Sequence, residues 1–224
     1  MSIIELQNLS KIYSTGNNKV TALSKVSLSI EKGAFVCIAG PSGSGKSTLL
    51  HIAGILDIPS EGEVIINNQQ SRFFGRTEAA LFRRHNIGFI FQRFNLIPVL
   101  TAFENVEYIL ALLNVPATKR KKSAEKALQA VGLKDVMHQR AGNLSGGQQQ
   151  RVAVARAIVA EPQIIIADEP TASLDSETGA ALIDLFAEIN RKQNTTFLFS
   201  SHDARIIRRA NRVINLRDGH IDYH

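Results

Sequence analysis

The sequence contains one cysteine, Cys37, so no disulfide can form within the chain. No Cys/His cluster has the spacing of a metal site, and both facts are consistent with a reducing compartment. No apolar run approaches the roughly 18 residues that a membrane span needs, and the first residues lack the basic and apolar regions of a secretory signal. We therefore expect a cytosolic protein in which Cys37 is a small, buried core residue.

Low-complexity tracts and internal repeats are also absent, which argues against disorder. The 224 residues are 44% hydrophobic and 21% charged, as in a globular protein with one domain and an inserted subdomain. The net charge of +6 permits contact with nucleic acid or an anionic membrane. The basic residues are nevertheless dispersed except at 119–122 and 205–212, where they indicate solvated helix faces or, alternatively, proximity to anionic lipid headgroups.

Several short segments have the patterns of strands. Apolar residues and serine alternate at 26–30, which predicts a half-solvated strand in a small antiparallel flap. Continuous apolar runs at 34–40, 87–91, 163–168 and 196–201 indicate buried parallel strands instead. Because helical segments separate these runs, we expect an α/β core.

The pattern of buried strands disappears between Gln92 and about Ala160. Thr101 and Glu104 form a capping box before an apolar helical run that Pro116 is expected to stop. A second, more polar helix is predicted to end at Gly132, and a third follows the stretch "LSGG". This region is therefore predicted to be a helical subdomain inserted into the α/β core.

The stretch "GPSGSGKST" at 40–48, hereafter the phosphate loop, matches the spacing G-x-x-x-x-G-K-[ST] between a buried strand and a helix. Glycines allow backbone N–H groups to close around phosphate oxygens, and the helix N-terminus adds partial positive charge. Lys46 can reach the outer phosphates, and Ser47 can ligate Mg²⁺. The loop therefore predicts a site for a nucleoside triphosphate.

One acidic residue closes the apolar run at 163–168, and a second follows it directly. Asp168 is expected at the carboxyl end of a central strand, where α/β sheets bind ligands, and it is a candidate partner for Mg²⁺. Glu169 is expected to point elsewhere, because successive residues of an extended chain face opposite ways. It is therefore a candidate to orient or deprotonate the attacking water.

The stretch "LSGGQ" at 144–148, hereafter the signature segment, resembles a second anion site. Ser145 is a good N-cap, and Gly146 and Gly147 expose N–H groups at a helix N-terminus that carries about half a positive charge. A chain with one complete phosphate loop thus has an additional place for a phosphate.

Together these motifs resemble the nucleotide-binding subunit of ATP-binding cassette (ABC) transporters, from about Ile3 to Asp222. The resemblance implies a P-loop NTPase (RecA-like) core at 1–92 and 161–224, with an antiparallel β flap and a helical subdomain at 93–160. The motifs occur in the family's order: Tyr13 where adenine is stacked, the Walker A loop at 40–48, the Q-loop residue Gln92, the signature at 144–148, Walker B at 164–170, the D-loop at 173–175 and the switch residue His202.

The resemblance also implies residue roles around ATP and Mg²⁺. The residues implied in catalysis are Lys46, Gln92, Glu169 and His202. Mg²⁺ would be held by Ser47, Gln92 and Asp168. The residues implied in nucleotide binding are Tyr13, Gly40, Pro41, Ser42, Gly43, Ser44, Gly45, Lys46, Ser47, Thr48, Ser145, Gly146, Gly147, Gln148 and Asp175.

In the family, the signature segment of one chain closes on ATP held by another, so the resemblance implies a homodimer, or a dimer with a closely related chain. It also implies a separate transmembrane permease at the cytoplasmic face of the inner membrane, and no nucleic-acid partner. Within the family, the chain looks most like the bacterial lipoprotein-releasing, macrolide-exporting and cell-division ATPases, which often transmit mechanical force. Two alternatives are a soluble ABC ATPase acting on DNA or ribosomes and a nucleotide-sensing scaffold for a membrane protein.

Overall fold

The computed structural model describes residues 1–16 and 18–222, which form two compact units. The first unit comprises residues 1–83 and the chain from 196 onwards, and the second comprises residues 84–195. In chain order the strands are β1 Ser2–Thr15, β2 Asn18–Glu31, β3 Phe35–Ala39, β4 Glu61–Ile66, β5 Gln69–Gln70, β6 Ile87–Ile90, β7 Ile164–Asp168, β8 Thr196–Ser200, β9 Arg212–Arg217 and β10 His220–Asp222. The helices are α1 Lys46–Ala53, α2 Arg76–Asn86, α3 Ala102–Leu112, α4 Ala117–Ala130, α5 Gly146–Ile158, α6 Ser176–Gln193 and α7 Ala204–Arg209.

The first unit contains the antiparallel flap that the sequence predicts. Its strands lie in the order β2-β1-β4-β5, and each neighbouring pair is antiparallel. Val26, Leu28 and Ile30 of β2 are buried, and the serines between them are exposed. The alternation therefore separates a core face from a solvated face, as predicted.

The same unit contains a group of parallel strands. Strand β3 pairs in parallel with β8 and with β9, and β10 pairs antiparallel with β9. The ring of Phe35 lies 5.4 and 4.6 Å, centroid to centroid, from the rings of Phe197 and Phe199. Cys37 is buried in β3, as expected. Because β3 is paired on both sides, its carboxyl end is a rigid support for the phosphate loop.

The second unit combines a pair of parallel strands with helices. Strands β6 and β7 pair in parallel, and every residue of β7 is buried. Helix α3 packs against α4 and α5, and α5 also packs against β6. Together with the first unit, this confirms the α/β class and the strands predicted from the apolar runs. No helix within 1–16 and 18–222 is long and apolar enough to cross a bilayer.

The helix ends largely follow the sequence signals. The Glu104 N–H donates to Thr101 Oγ1 at 3.1 Å, and the Thr101 N–H donates to Glu104 Oε2 at 2.7 Å, which completes the predicted capping box. Gly132 has a φ of 69° just beyond α4, the left-handed conformation of a helix terminus. Helix α3 ends at Leu112, before Pro116, because the chain already turns through a left-handed residue at 114.

Candidate functional site

The phosphate loop begins where β3 ends, and α1 begins at its lysine. Gly40 has a φ of 150°, and a Cβ atom there would lie 2.0 Å from the carbonyl oxygen of Leu216. Gly45 has a φ of 101°, and its Cβ would lie 2.4 Å from the carbonyl oxygen of Ala22. Both glycines are therefore required by close backbone approaches as well as by backbone conformation.

Lys46 and Ser44 have polar groups suited to a phosphate. The buried Lys46 Nζ donates to the carbonyl oxygens of Gly40 and Pro41, both at 2.8 Å. Since an ammonium group has three donors, one more remains for a ligand. Ser44 Oγ is buried and lacks a hydrogen-bond partner in the described part of the chain. This orphaned hydroxyl and the third Lys46 donor fit a polyphosphate.

The other predicted residues of the first unit are mostly exposed. Ser47 is exposed in the first turn of α1, and Thr48 lies beside the hydroxyl of Tyr13. The Tyr13 ring is 39% exposed. His202 is exposed and lies two residues beyond β8. The remaining predicted phosphate-loop residues that are exposed are Pro41, Ser42 and Gly43.

The signature segment in the second unit leads into α5 as predicted. The Gln148 N–H donates to Ser145 Oγ at 3.3 Å, and the Ser145 N–H donates to Gln148 Oε1 at 2.9 Å, so the two residues form a capping box. A Cβ at Gly146 would meet no atom within 4 Å, whereas one at Gly147 would lie 3.4 Å from the carbonyl oxygen of Ser173. The start of α5 is thus open at Gly146 and adjoins the D-loop at Gly147.

The predicted acidic residues occupy three different positions. Asp168 is the last residue of β7 and is buried. Glu169 has a φ of 47°, so the expectation that it continues an extended chain is wrong: the backbone turns into a left-handed conformation there. Asp175 is exposed and caps α6, accepting from the Thr178 N–H at 2.9 Å, and this hydrogen bond lowers the pKa of its carboxyl group.

The backbone just after Gln92 is held by an arginine, Arg156, that belongs to none of the sequence motifs. Gln92 is exposed, and the following residues Phe94 and Asn95 have φ values of 55° and 49°. The Arg156 guanidinium, from α5, donates to the carbonyl oxygen of Phe94 at 2.7 Å and to that of Asn95 at 2.5 Å. Burial lowers the pKa of Arg156 to about 10. The helix that carries the signature segment therefore also holds the turn next to Gln92.

An asparagine fixes the next part of the same segment. The Ile97 N–H donates to Asn105 Oδ1 at 2.9 Å, and Asn105 Nδ2 donates to the carbonyl oxygens of Ile97 and Thr101 at 3.1 and 2.9 Å. The side chain of Asn105 is buried in α3. Residues 94–101 are therefore held by polar side chains from two helices, Arg156 of α5 and Asn105 of α3. The need for an arginine and an asparagine at these positions becomes visible only when the backbone of residues 94–101 is placed beside them.

Within each unit the structure brings part of the predicted set together. In the first unit Tyr13 lies beside Thr48, and Lys46 lies across the phosphate loop. In the second unit Gly147 lies beside Ser173. The sharing of Mg²⁺ between residues of the two units, and all the residue roles at ATP, stay predictions.

A buried parallel strand, a glycine-dependent loop and a helix starting at the loop lysine define a P-loop nucleoside triphosphatase. The ABC transporter family model matches residues 23–172. The uncharacterized ABC transporter ATP-binding protein MJ1508 of Methanocaldococcus jannaschii is 46% identical, over 98% of this chain and 97% of that relative. The chain belongs to the ABC transporter family as an ATP-binding subunit, and it is an ATPase that uses ATP and Mg²⁺.

Two further comparisons show a structural neighbour and a longer relative. A solved dimeric structure of the ATP-binding cassette MJ0796, a protein of the same organism, in a post-hydrolysis state with ADP and Pi, has a TM-score of 0.95 and 43% identity, covering 98% of this chain and 96% of that one. The macrolide export ATP-binding/permease protein MacB of Bdellovibrio bacteriovorus is 44% identical over 97% of this chain but only 33% of its own length. The chain thus corresponds to about a third of that relative.

Proposed function

We propose that the active ATPase is a dimer in which the signature segment of one chain closes on ATP held by the phosphate loop of the other. The observation that carries this proposal is the open start of α5, where the capping box uses the Gln148 N–H but leaves the N–H groups of Gly146 and Gly147 for an anion. The chain has one phosphate loop and one signature segment, so two chains make two complete sites. The solved structure of MJ0796, which is dimeric and bound to ADP and Pi, supports a dimer as the nucleotide-bound form.

Within each site, we assign roles from charge and position. Lys46 contacts the outer phosphates, and Ser47, Gln92 and Asp168 hold Mg²⁺, which neutralises developing phosphate charge. Glu169 orients or deprotonates the attacking water, and His202 contacts the γ-phosphate. The position of Glu169 supports its role, because it directly follows Asp168 at the carboxyl end of the buried strand β7, where α/β sheets bind ligands.

Replacement of Glu169 by glutamine tests the dimer and the catalytic assignment together. We expect Glu169→Gln to bind ATP, to lose turnover and to accumulate as an ATP-dependent dimer in size-exclusion chromatography with light scattering. Glu161→Gln is the matched control, because Glu161 is also a glutamate with a left-handed φ, 50°. Hydrolysis at the parent rate by Glu169→Gln would refute the catalytic role.

A second variant separates closure from nucleotide binding. Ser145→Arg places bulk and charge at the start of α5, where the partner's phosphate is proposed to lie. Combined with Glu169→Gln, it should prevent the ATP-dependent dimer while leaving the affinity of each monomer for ATP nearly unchanged. A clear loss of monomer affinity would show that the signature segment acts on ATP of its own chain.

We further propose that the helical subdomain at 93–160 receives a membrane permease, which places the chain at the cytoplasmic face of the membrane. Three large apolar side chains of this region are exposed, Ile97 by 41%, Val99 by 70% and Tyr108 by 48%. An apolar surface of this kind is typical of protein interfaces. The MacB relative, named as an ATP-binding/permease protein, supports a permease as the partner.

Affinity purification distinguishes this partner from the alternatives. Recovery of a multi-span membrane protein with the tagged chain, lost in Val99→Asp but retained in the exposed-surface control Lys121→Asp, would support permease docking. Recovery of nucleic acid or ribosomes instead would favour a soluble ABC ATPase. Recovery of the membrane protein with a chain that never hydrolyses ATP would favour a nucleotide-sensing scaffold.

A further inference from the structure

A cluster of three side chains, Lys11, Tyr13 and Asp57, lies in the first unit outside the phosphate loop. Lys11 Nζ donates to Asp57 Oδ1 and to the carbonyl oxygen of Ile58, both at 2.7 Å. Tyr13 Oη donates to Asp57 Oδ2 at 2.8 Å. The two oxygens of one carboxylate therefore hold the lysine and the tyrosine side by side.

The lysine also lies against the tyrosine ring. Lys11 Nζ is 4.9 Å from the ring centroid of Tyr13, which is within the range of a cation–π contact. The side chain of Lys11 is only 12% exposed and that of Asp57 is 31% exposed, so this ion pair is better shielded from water than a typical surface pair. A cation occupies one face of the ring, and a planar ligand can stack only on the other.

The tyrosine hydroxyl also lies beside the phosphate loop. It donates to Asp57, and Thr48, the last residue of the loop, lies close enough to influence its pKa. Partial burial raises the pKa of Tyr13, with Asp57 acting in the same direction and Thr48 in the opposite one. Burial opposes ionisation of Asp57, but hydrogen bonds from Lys11 and Tyr13 outweigh it and lower its pKa. The phenol thus remains a donor, and the carboxylate an acceptor, around neutral pH.

We propose that Lys11 and Asp57 are positioning residues that fix the Tyr13 ring as a platform for the nucleobase of ATP. This inference rests on the proposed function, in which Tyr13 stacks on adenine. The Asp57 carboxylate fixes the hydroxyl end of the ring, and the Lys11 ammonium group covers one face of the ring, so the opposite face is the one open to the base. A ring that is already held in place can stack in an offset arrangement on a purine without first losing its own conformational freedom.

Substitution of Lys11 or Asp57 is expected to weaken the contact with the base of ATP and to leave the contacts with its phosphates unchanged. Ordering one side chain before binding changes affinity by roughly two- to tenfold, so loss of either residue should raise the KM for ATP by that factor. The rate constant kcat should stay within about twofold of the parent, because neither residue is proposed to contact the reacting phosphate. Binding of inorganic tripolyphosphate, which has no base, should not change.

The experiment compares Asp57→Asn and Lys11→Met with the parent chain, measuring KM and kcat for ATP and Kd for tripolyphosphate. Lys11→Arg, which keeps a cation, should retain most of the parental affinity. Lys19→Met is the matched control, because Lys19 is an exposed lysine in β2. Thermal melting confirms that each variant is folded.

Every outcome bears on the inference. An increase in KM with unchanged tripolyphosphate binding supports it. An equal loss of ATP and tripolyphosphate affinity would show a general structural role and overturn it, as would parental affinity in both variants. Tyr13→Ala separates this failure from that of the proposed function: if Tyr13→Ala also binds ATP normally, Tyr13 is not the base platform at all.

Discussion

Replacing Arg156 with methionine should loosen the turn after Gln92 without unfolding the protein. The guanidinium group makes two charge-assisted hydrogen bonds, to the carbonyl oxygens of Phe94 and Asn95. Methionine fills similar space but donates nothing. The two carbonyl groups then lose these donors, and two consecutive left-handed residues lose the contact that holds them.

The magnitude follows from two opposing contributions. Two hydrogen bonds from a charged donor contribute roughly 3–6 kcal/mol at about 1.5–3 kcal/mol each. Burial of the charged guanidinium lowers the Arg156 pKa to about 10, and this lowering opposes the hydrogen bonds by roughly 3 kcal/mol at about 1.36 kcal/mol per pKa unit. The net contribution is therefore small, and we expect the free energy of unfolding to fall by no more than about 3 kcal/mol.

Hydrogen exchange measured by mass spectrometry, together with ATPase assays, tests this prediction. Arg151→Met is the matched control, because Arg151 lies on the same helix and donates to the carbonyl oxygens of Val131 and Gly132 at 3.1 and 3.2 Å. Both variants should lose similar stability, but only Arg156→Met should accelerate exchange at residues 91–97 and lower turnover. Parental exchange at 91–97 in Arg156→Met would refute the reasoning.

Three further predictions concern the glycines and the helix caps. Gly40→Ala should lower the melting temperature and abolish ATP binding, because its Cβ would lie 2.0 Å from the carbonyl oxygen of Leu216; an unchanged melting curve would contradict this. Gly146→Ala, whose Cβ meets open space in one chain, should leave melting unchanged but lower the ATPase rate, and parental activity would count against an approaching partner phosphate. At the starts of α3 and α6, backbone N–H groups donate to the carboxylates of Glu104 and Asp175 and lower the pKa of each below its ordinary value of 4.5 or 3.8. The stability that these hydrogen bonds contribute is therefore present above the ordinary values and is lost as the pH falls through the lower folded-state values. The double variant Glu104→Gln, Asp175→Asn should therefore lose less stability than the parent between about pH 5 and 3, and parallel denaturation curves would exclude this contribution.

Local features of the site could be predicted from the sequence because their signals are short-range. The strand at 164–168, the N-cap Ser145 and the glycine terminus at 132 each depend on neighbouring residues, and all three occur in the structure. Hydrophobic periodicity, helix caps and loop spacing each involve residues that lie within a few positions of one another in the sequence.

The contacts that support these motifs could not be predicted, because they join distant positions. Lys11 and Asp57 are 46 positions apart, and Arg156 and Asn95 are 61 positions apart. No sequence periodicity relates residues that are so far apart, and an arginine or lysine considered alone is predicted to be a solvent-exposed charge. The alternation rule was wrong at Glu169 for a related reason: it assumes an extended backbone, whereas the chain leaves β7 through a left-handed residue.

The central claim is that the ATP site is completed by a second chain, and the ATPase rate at increasing protein concentration tests it most directly. With saturating ATP and Mg²⁺, a two-chain site predicts that activity per chain rises with concentration and then levels off as the dimer fills. A constant activity per chain, down to concentrations at which light scattering shows only monomer, would contradict the account.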